Sequence, residues 1–292
     1  LFGQGADDEE CEVNDEENDI IMELSKDVRR RDDENEVTIK ESCDDSLFWG
    51  SVNKVCQDSQ IVSKKYWDDL SGEELDSSLV IAARSEKMKE FVKHNVYNKV
   101  PLSKCWEMTG KAPIGVRWVD VNKGDKIHHD YRSRLVAKEI KVDKREDLFA
   151  ATPPLESKKL LFSWAVTEGI GYDKRNKVNG MKIDFIDVRR AYFHAAARRQ
   201  VFVDLCEEDG VPGMCGELVK AMYGTRDAAQ NWEVTYVKFM TEIGFVSGKA
   251  TPRVFYQEER NVRAVVHGDD FTMLGTREEL DWFRQMISQR FE

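Results

Sequence analysis

Hydrophobic residues recur at helical spacing in four segments of the chain, and this spacing predicts four α-helices. The apolar stripe of segment 77–94 is Ile81, Met88, Phe91 and Val92, and that of segment 158–168 is Leu160, Leu161, Trp164 and Ala165. The stripe of segment 227–241 is Trp232, Tyr236, Phe239 and Met240, and that of segment 276–291 is Leu280, Phe283, Ile287 and Phe291. Thr276 and Glu279 stand in the order of a capping box, which predicts that the last helix begins there.

Apolar and polar residues alternate, or apolar residues run together, in shorter segments that predict β-strands. These segments are 115–120, 132–140, 181–188, 200–205, 262–266 and 271–274. The first two flank a polar turn and predict a hairpin, and the last two predict a second hairpin around residues 267–270. Strand 181–188 is apolar enough to be buried, with Ile183, Phe185 and Asp187 on one face. Because helices and strands are mixed without strict alternation, we expect an α+β fold.

Charge divides the chain into two parts. The formal net charge is −11, but residues 1–60 alone hold 19 acidic and 6 basic side chains, whereas residues 111–145 hold 10 basic and 5 acidic ones. The acid-rich segment has few apolar residues and no sustained periodicity, so we expect residues 1–60 to be a disordered linker and residues 61–292 to be the folded part. The basic stretch coincides with the first predicted hairpin and suits an anionic partner.

Features of a membrane protein are absent from the sequence. The longest apolar stretch, residues 160–166, is far too short to cross a bilayer, and no leader-like segment opens the chain. We therefore expect no membrane partner and read the chain as a segment of a longer one. The six cysteines are scattered without metal-site spacing, which favours an intracellular, reducing location without separating cytoplasm from nucleus.

Three carboxylates follow predicted strands and suggest a metal site. Asp187 ends one strand, and Asp269 and Asp270 lie in the second hairpin. If these strands are neighbours in one sheet, the carboxylates meet at one edge and repel each other unless a cation neutralises them. Hard oxygen ligands select Mg²⁺ or Mn²⁺. Two such ions would support phosphoryl transfer.

The motifs around these carboxylates resemble those of copia-type retrotransposon reverse transcriptases. Residues 187–193 (Asp-Val-Arg-Arg-Ala-Tyr-Phe) resemble motif A of that family, and residues 267–270 (His-Gly-Asp-Asp) resemble motif C. Residues 220–232, which include Tyr-Gly-Thr-Arg-Asp-Ala-Ala and a later Trp, resemble its motif B. Upstream, the resemblance extends over residues 115–119, 131–138 and 148–154, and overall from about 80 to 292.

The resemblance implies a fold, an activity and partners. The fold would be the palm and fingers of a right-hand polymerase, with the fingers hairpin at about 113–141, the palm at about 181–292, and the thumb absent or truncated. The activity would be that of the RNA-directed DNA polymerase in a copia-type Pol polyprotein, which adds dNTPs to a primer 3′ end with two Mg²⁺ or Mn²⁺ ions. Partners would be an RNA or DNA template with its primer, dNTP, and other parts of the polyprotein.

The resemblance also assigns roles to individual residues. Asp187 and Asp269 would be the principal catalytic metal ligands, helped by Asp270 and by the backbone carbonyl of Val188. Tyr192 would exclude a ribose 2′-hydroxyl. The other predicted contacts are those to the triphosphate from Arg132, Arg134 and Lys138, those to the incoming nucleotide from Tyr223, Gly224 and Arg226, and those to template or primer from His267 and Gly268. Trp232 is expected to belong to the core.

Departures from the family pattern keep other functions open. His267 replaces an aromatic residue, and Gly268 is expected to loosen the turn. Asp227 replaces the usual Gln and would place negative charge near an anionic substrate, and Ala229 replaces Pro. One alternative is therefore an inactive remnant, or an interaction module that keeps the fold and binds nucleic acid or protein. A second alternative is a metal-dependent phosphohydrolase, which needs neither the basic hairpin nor Tyr192.

Overall fold

A computed structural model describes residues 64–125, 127–140, 152–175 and 180–292. The acid-rich segment predicted as a linker lies outside these residues. So does most of the 148–154 motif, of which only residues 152–154 are described. Within the described part of the chain, no helix is both long and apolar enough to cross a bilayer.

The described residues form helices and strands in mixed order. The helices are α1 (Ser77–Lys93), α2 (Leu102–Thr109), α3 (Leu155–Val166), α4 (Ala191–His194), α5 (Ala228–Glu242) and α6 (Arg277–Arg290). The strands are β1 (Tyr66–Trp67), β2 (Glu74–Leu75), β3 (Tyr97–Pro101), β4 (Val116–Asn122), β5 (Tyr131–Ala137), β6 (Lys182–Asp187), β7 (Phe202–Val203), β8 (Met214–Leu218), β9 (Val246–Ser247), β10 (Val254–Gln257), β11 (Val262–His267) and β12 (Asp270–Gly275). This mixture confirms the α+β prediction.

A five-stranded antiparallel sheet in the order β6-β12-β11-β10-β9 carries the larger core. Side chains alternate between its two faces, so Phe271 and Met273 point to one side and Leu274 to the other. The apolar stripes of α5 and α6 cover the first face, and α3 covers the second through Leu161. The sheet is therefore sandwiched between helices, which hold the ends of β6, β11 and β12 in fixed positions.

A second core joins the β4–β5 hairpin to α1 and to the sheet β3-β8-β7. Phe91 of α1, Leu135 of β5 and Leu218 of β8 are buried together there. Phe193 of α4 packs into the same cluster, edge-on to Phe91 with ring centroids 4.9 Å apart. Because α4 directly follows β6, this packing ties the hairpin to the main sheet.

The predicted helices are confirmed, but two predicted stripes are wrong in part, and in α3 the misplaced residue is Leu160, which is 46% exposed. In α1, Ile81 and Val92 are 55% and 76% exposed, whereas Val80 and Phe91 are buried. The buried face of α1 also includes Arg84, whose guanidinium donates to the buried carboxylate of Asp120 on β4. The inner face of α1 therefore contains a buried ion pair. A stripe predicted from apolar residues alone leaves out a buried charged residue, so the predicted stripe lay partly on the wrong side of the helix.

Two further predictions needed correction. Strand β6 is an edge strand, and Phe185 on it is 68% exposed, so the expectation that this strand is buried is wrong. The last helix begins after Thr276 as predicted, but the Thr276 side chain makes no capping hydrogen bond. Glu279, the other member of the expected capping box, instead accepts a hydrogen bond from Arg260 at 2.7 Å.

Candidate active site

The β11–β12 hairpin presents its turn at one end of the main sheet. His267 pairs with Asp270, so that Gly268 and Asp269 form a two-residue loop. Gly268 has φ +63°, which suits the first position of such a loop and is unfavourable for other residues. Its carbonyl accepts a hydrogen bond from the indole N–H of Trp232 at 2.8 Å. Glycine thus fits the backbone of this turn, and the Trp232 indole binds the turn from the side of α5.

Pairing between β12 and β6 brings the predicted carboxylates together. Asp187 lies directly opposite Asp270 in the sheet register, and the backbone N–H of Val188 donates to the carbonyl of Asp269 at 3.2 Å. One carboxylate oxygen from each of Asp187, Asp269 and Asp270 lies within 4.8 Å of the others. All three side chains are open to solvent, whereas that of Val188 is buried in the core below them. The sheet thus anchors three exposed acids on a rigid base.

The charges of this cluster are incompletely compensated by the protein. Partial removal from water raises the pKa of the Asp269 carboxyl, and the nearby charges of Asp187 and Asp270 raise it further. A backbone hydrogen bond and the charge of Arg134 act in the opposite direction without reversing the shift. Closely spaced carboxylate oxygens with unbalanced charge are suitable ligands for a hard divalent cation.

Two tyrosines stand beside the carboxylates. Tyr192 on α4 and Tyr223 have ring centroids 4.6 Å apart at 49°. Burial raises the pKa of Tyr192, with a further contribution from the charge of Asp269. Burial, together with Asp269 and other neighbours, raises the pKa of Tyr223 to about 12. Both phenols therefore stay protonated at neutral pH and can act as hydrogen-bond donors.

The segment that contains Tyr223 and Gly224 is docked on the end of β5. The N–H of Ala137 donates to the carbonyl of Tyr223 at 2.8 Å. Gly224 has φ +83°, and a Cβ atom on it would lie 2.0 Å from the carbonyl oxygen of Ala137. Glycine is thus required here twice, by its backbone conformation and by the close approach of the hairpin.

The predicted basic contacts occupy three different surroundings on the hairpin. Arg134 is exposed and close enough to act electrostatically on Asp269 and Tyr223. Arg132 is held by Asp130, to which its guanidinium donates at 2.9 and 3.1 Å. Lys138 lines a cavity of about 330 Å³ that also includes Asp204. Of the three, Arg134 is the one that the structure brings near the carboxylates.

An ionic network that the sequence did not predict lies behind Arg226 and Asp227. Arg199 donates to Glu139 at 2.8 Å and to Asp227 at 2.9 Å. The N–H of Arg226 donates to Glu139 at 2.8 Å. Burial opposes ionisation of Asp227, but hydrogen bonds from Arg199 and Asn231 lower its pKa overall. The negative charge of Asp227 is therefore compensated inside the protein by Arg199.

Comparison with known proteins identifies the family of this chain. Residues 94–292 match the family model described as reverse transcriptase (RNA-dependent DNA polymerase). The chain is also 23% identical over 211 residues to the "Retrovirus-related Pol polyprotein from transposon TNT 1-94" of Nicotiana tabacum. That alignment covers 68% of this chain and 15% of the polyprotein. The chain thus spans a small part of this relative.

The chain is an α+β domain with clustered carboxylates on an antiparallel sheet, and the family model matches most of its described length. The chain therefore belongs to the reverse transcriptase (RNA-dependent DNA polymerase) family. The copia-type resemblance inferred from the motifs is confirmed. More particularly, the chain is a reverse-transcriptase domain of the kind found in a retrotransposon Pol polyprotein.

Proposed function

We propose that this domain catalyses template-directed addition of deoxynucleotides to the 3′ end of a primer annealed to RNA or DNA. The observation that carries the proposal is the convergence of Asp187, Asp269 and Asp270, with oxygens within 4.8 Å of one another, in a chain of this family. In the proposed architecture the main sheet is the palm and the hairpin at about 113–141 belongs to the fingers. Residues 1–60 would be a linker to the rest of a polyprotein.

The acidic cluster fits a pair of Mg²⁺ or Mn²⁺ ions. Its ligands are carboxylate oxygens. The pKa of Asp269 is raised first by burial and then by the charges of Asp187 and Asp270, which a cation would balance. Asp187 and Asp269 would be the main ligands, with help from Asp270 and the carbonyl of Val188. Bound there, the ions would favour ionisation of the attacking 3′-hydroxyl and stabilise the charge on the departing pyrophosphate.

The surrounding residues would bind and select the nucleotide. Arg134 is placed to attract the triphosphate, and Arg132 and Lys138 would extend the basic surface along the hairpin. Tyr192, in tilted contact with the ring of Tyr223, would limit the space available to a ribose 2′-hydroxyl.

The remaining predicted contacts would surround the same nucleotide site. Gly224 and Arg226 would form the floor of the nucleotide pocket, next to Tyr223. His267 and Gly268, at the exposed turn of the hairpin, would face the primer end. The Trp232 contact to the Gly268 carbonyl would keep that turn in place.

Primer extension tests the proposal. The purified chain is given a labelled DNA primer on an RNA template, dNTPs and Mg²⁺, and we expect elongated product. Asp269→Asn should reduce extension by at least about a hundredfold, because metal-assisted charge stabilisation supplies several kcal/mol to the transition state. Asp281→Asn is the matched control, since Asp281 is an exposed acid paired with Arg284 on α6.

Other outcomes would contradict the proposal and identify its replacement. Salt-sensitive binding of primer–template without any extension would favour an interaction module or an inactive remnant. Hydrolysis of nucleotides or phosphate esters without a template, lost in Asp269→Asn, would favour a metal-dependent phosphohydrolase. Equal extension by the wild type and Asp269→Asn would exclude the carboxylate mechanism.

A further inference from the structure

Arg199 lies between two acidic side chains that come from different parts of the fold. Glu139 follows β5 at the end of the hairpin, and Asp227 immediately precedes α5. The guanidinium donates through Nη1 to Glu139 Oε1 at 2.8 Å and through Nη2 to Asp227 Oδ1 at 2.9 Å, with a second contact between Nη2 and Glu139 Oε2. A single arginine thus bridges the hairpin and the helix, using the fork geometry that suits carboxylates.

The two acids of the bridge are largely removed from solvent, and the Arg199 side chain is 29% exposed. Asp227 is 4% exposed, and the Glu139 side chain is mostly buried. Each acid has an additional donor: the amide of Asn231 reaches Asp227 at 2.9 Å, and the backbone N–H of Arg226 reaches Glu139 at 2.8 Å. Buried acids need such donors to remain charged. Loss of the arginine would leave two negative groups close together with little water to screen them.

The bridge converges on the segment that the proposed function assigns to nucleotide binding. Arg226 is bound through its N–H to Glu139, and the carbonyl of Tyr223 accepts the N–H of Ala137. Both bonds join this segment to the end of the hairpin. Residues 223–226 are therefore fixed to the hairpin at two points. At one of them the Arg226 N–H binds the Glu139 carboxylate, whose charge Arg199 balances.

We propose that Arg199 is a positioning residue for the incoming nucleotide, acting through Glu139 and Asp227 to hold residues 223–226 against the hairpin. This inference rests on the proposed function, because it assigns residues 223–226 to the nucleotide pocket. It also accounts for Asp227 in this chain: the acid faces Arg199 and contributes to the bridge. Arg199 acts through other residues, so its loss weakens nucleotide binding and leaves the carboxylate chemistry intact.

The test compares the full chain with Arg199→Met and Arg199→Lys by hydrogen–deuterium exchange and by steady-state primer extension. In Arg199→Met, the amide of Arg226 is expected to exchange at least about tenfold faster, while α6 exchanges as in the wild type. The KM for dNTP is expected to rise about tenfold, equivalent to about 1.4 kcal/mol, with kcat within about twofold. Arg199→Lys should be intermediate on both measures, since one ammonium group cannot bridge two carboxylates as a guanidinium does.

Arg253→Met is the matched control for loss of a buried arginine. Arg253 is buried and paired with Glu233 on α5, outside the bridge. Its replacement should lower stability without accelerating exchange at Arg226 or raising the KM. If Arg199→Met does not fold, Arg199→Lys carries the same comparison.

The positioning role of Arg199 and the proposed function are contradicted by different results. If the wild type extends primers but the Arg199 variants show wild-type exchange at Arg226 or a wild-type KM, the positioning role is wrong and the proposed function stands. A fall in kcat with the KM unchanged would also overturn it. If the wild type does not extend primers, the proposed function fails, and with it the assignment of Arg199 to nucleotide binding.

Discussion

Replacement of Gly224 by alanine should separate two effects that coincide at this position. The backbone there has φ +83°, a left-handed conformation that costs an L-residue about 1–2 kcal/mol. The new Cβ atom would also lie 2.0 Å from the carbonyl oxygen of Ala137 and 2.5 Å from Cγ1 of Val136. Forcing atoms into a packed site typically costs about 1–3 kcal/mol. We therefore expect Gly224→Ala to lower the free energy of unfolding by about 2–5 kcal/mol.

Gly213→Ala provides the matched control. Gly213 has a similar backbone, with φ +74°, but a Cβ atom on it would meet nothing within 4 Å. That variant should lose only the backbone part, about 1–2 kcal/mol. Urea denaturation of the wild type and both variants measures how much free energy of unfolding each variant loses. The difference between the two losses isolates the contact of residue 224 with the hairpin.

The same variants test the link between this contact and nucleotide binding. Gly224→Ala should push residues 223–226 away from Ala137 and raise the KM for dNTP, whereas Gly213→Ala should leave it unchanged. Equal losses of stability in the two variants would refute the close approach of the hairpin to Gly224. A normal KM in a clearly destabilised Gly224→Ala would refute its connection with the nucleotide pocket.

Further predictions concern the carboxylate hairpin. Trp232→Phe removes the N–H that donates to Gly268, so unfolding by urea should become easier by about 1 kcal/mol; an unchanged midpoint would contradict the role given to that bond. Because the folded-state pKa of Asp269 is raised, the native state holds its proton longer than the unfolded chain, and stability falls as pH rises above the ordinary carboxyl range. Asp269→Asn should remove this part of the pH dependence, seen as a flatter Tm as the pH rises above about 4; a slope like that of the wild type would contradict the raised pKa of Asp269. Millimolar Mg²⁺ should raise the Tm of the wild type but not that of Asp187→Asn, and equal shifts would place the cation elsewhere.

Local sequence patterns predicted the features that depend on neighbouring residues. The stripe Trp232, Tyr236, Phe239 and Met240 is buried as its spacing indicated. The β11–β12 hairpin forms around the predicted turn because alternating apolar strands and a glycine favour it locally. The convergence of Asp187 with Asp269 and Asp270 also followed from the sequence, once their strands were assumed to be neighbours in one sheet.

Features that depend on distant partners could not be predicted in this way. Arg199, Glu139 and Asp227 are far apart in sequence, so nothing in their spacing indicates that they form one ionic network. Arg84 and Asp120 are also far apart in sequence, and the helical spacing of α1 does not indicate that they form a buried pair. An edge position for β6 likewise depends on strand order, which hydrophobicity does not encode.

The central claim is that the carboxylate cluster performs template-directed nucleotide addition. The most direct measurement supplies the four dNTPs one at a time to the wild-type chain on a primed RNA template with Mg²⁺. We expect the primer to grow by one residue only with the dNTP complementary to the next template base, and we expect Asp269→Asn to add none. Growth that ignores the template base, or release of phosphate without growth of the primer, would contradict it.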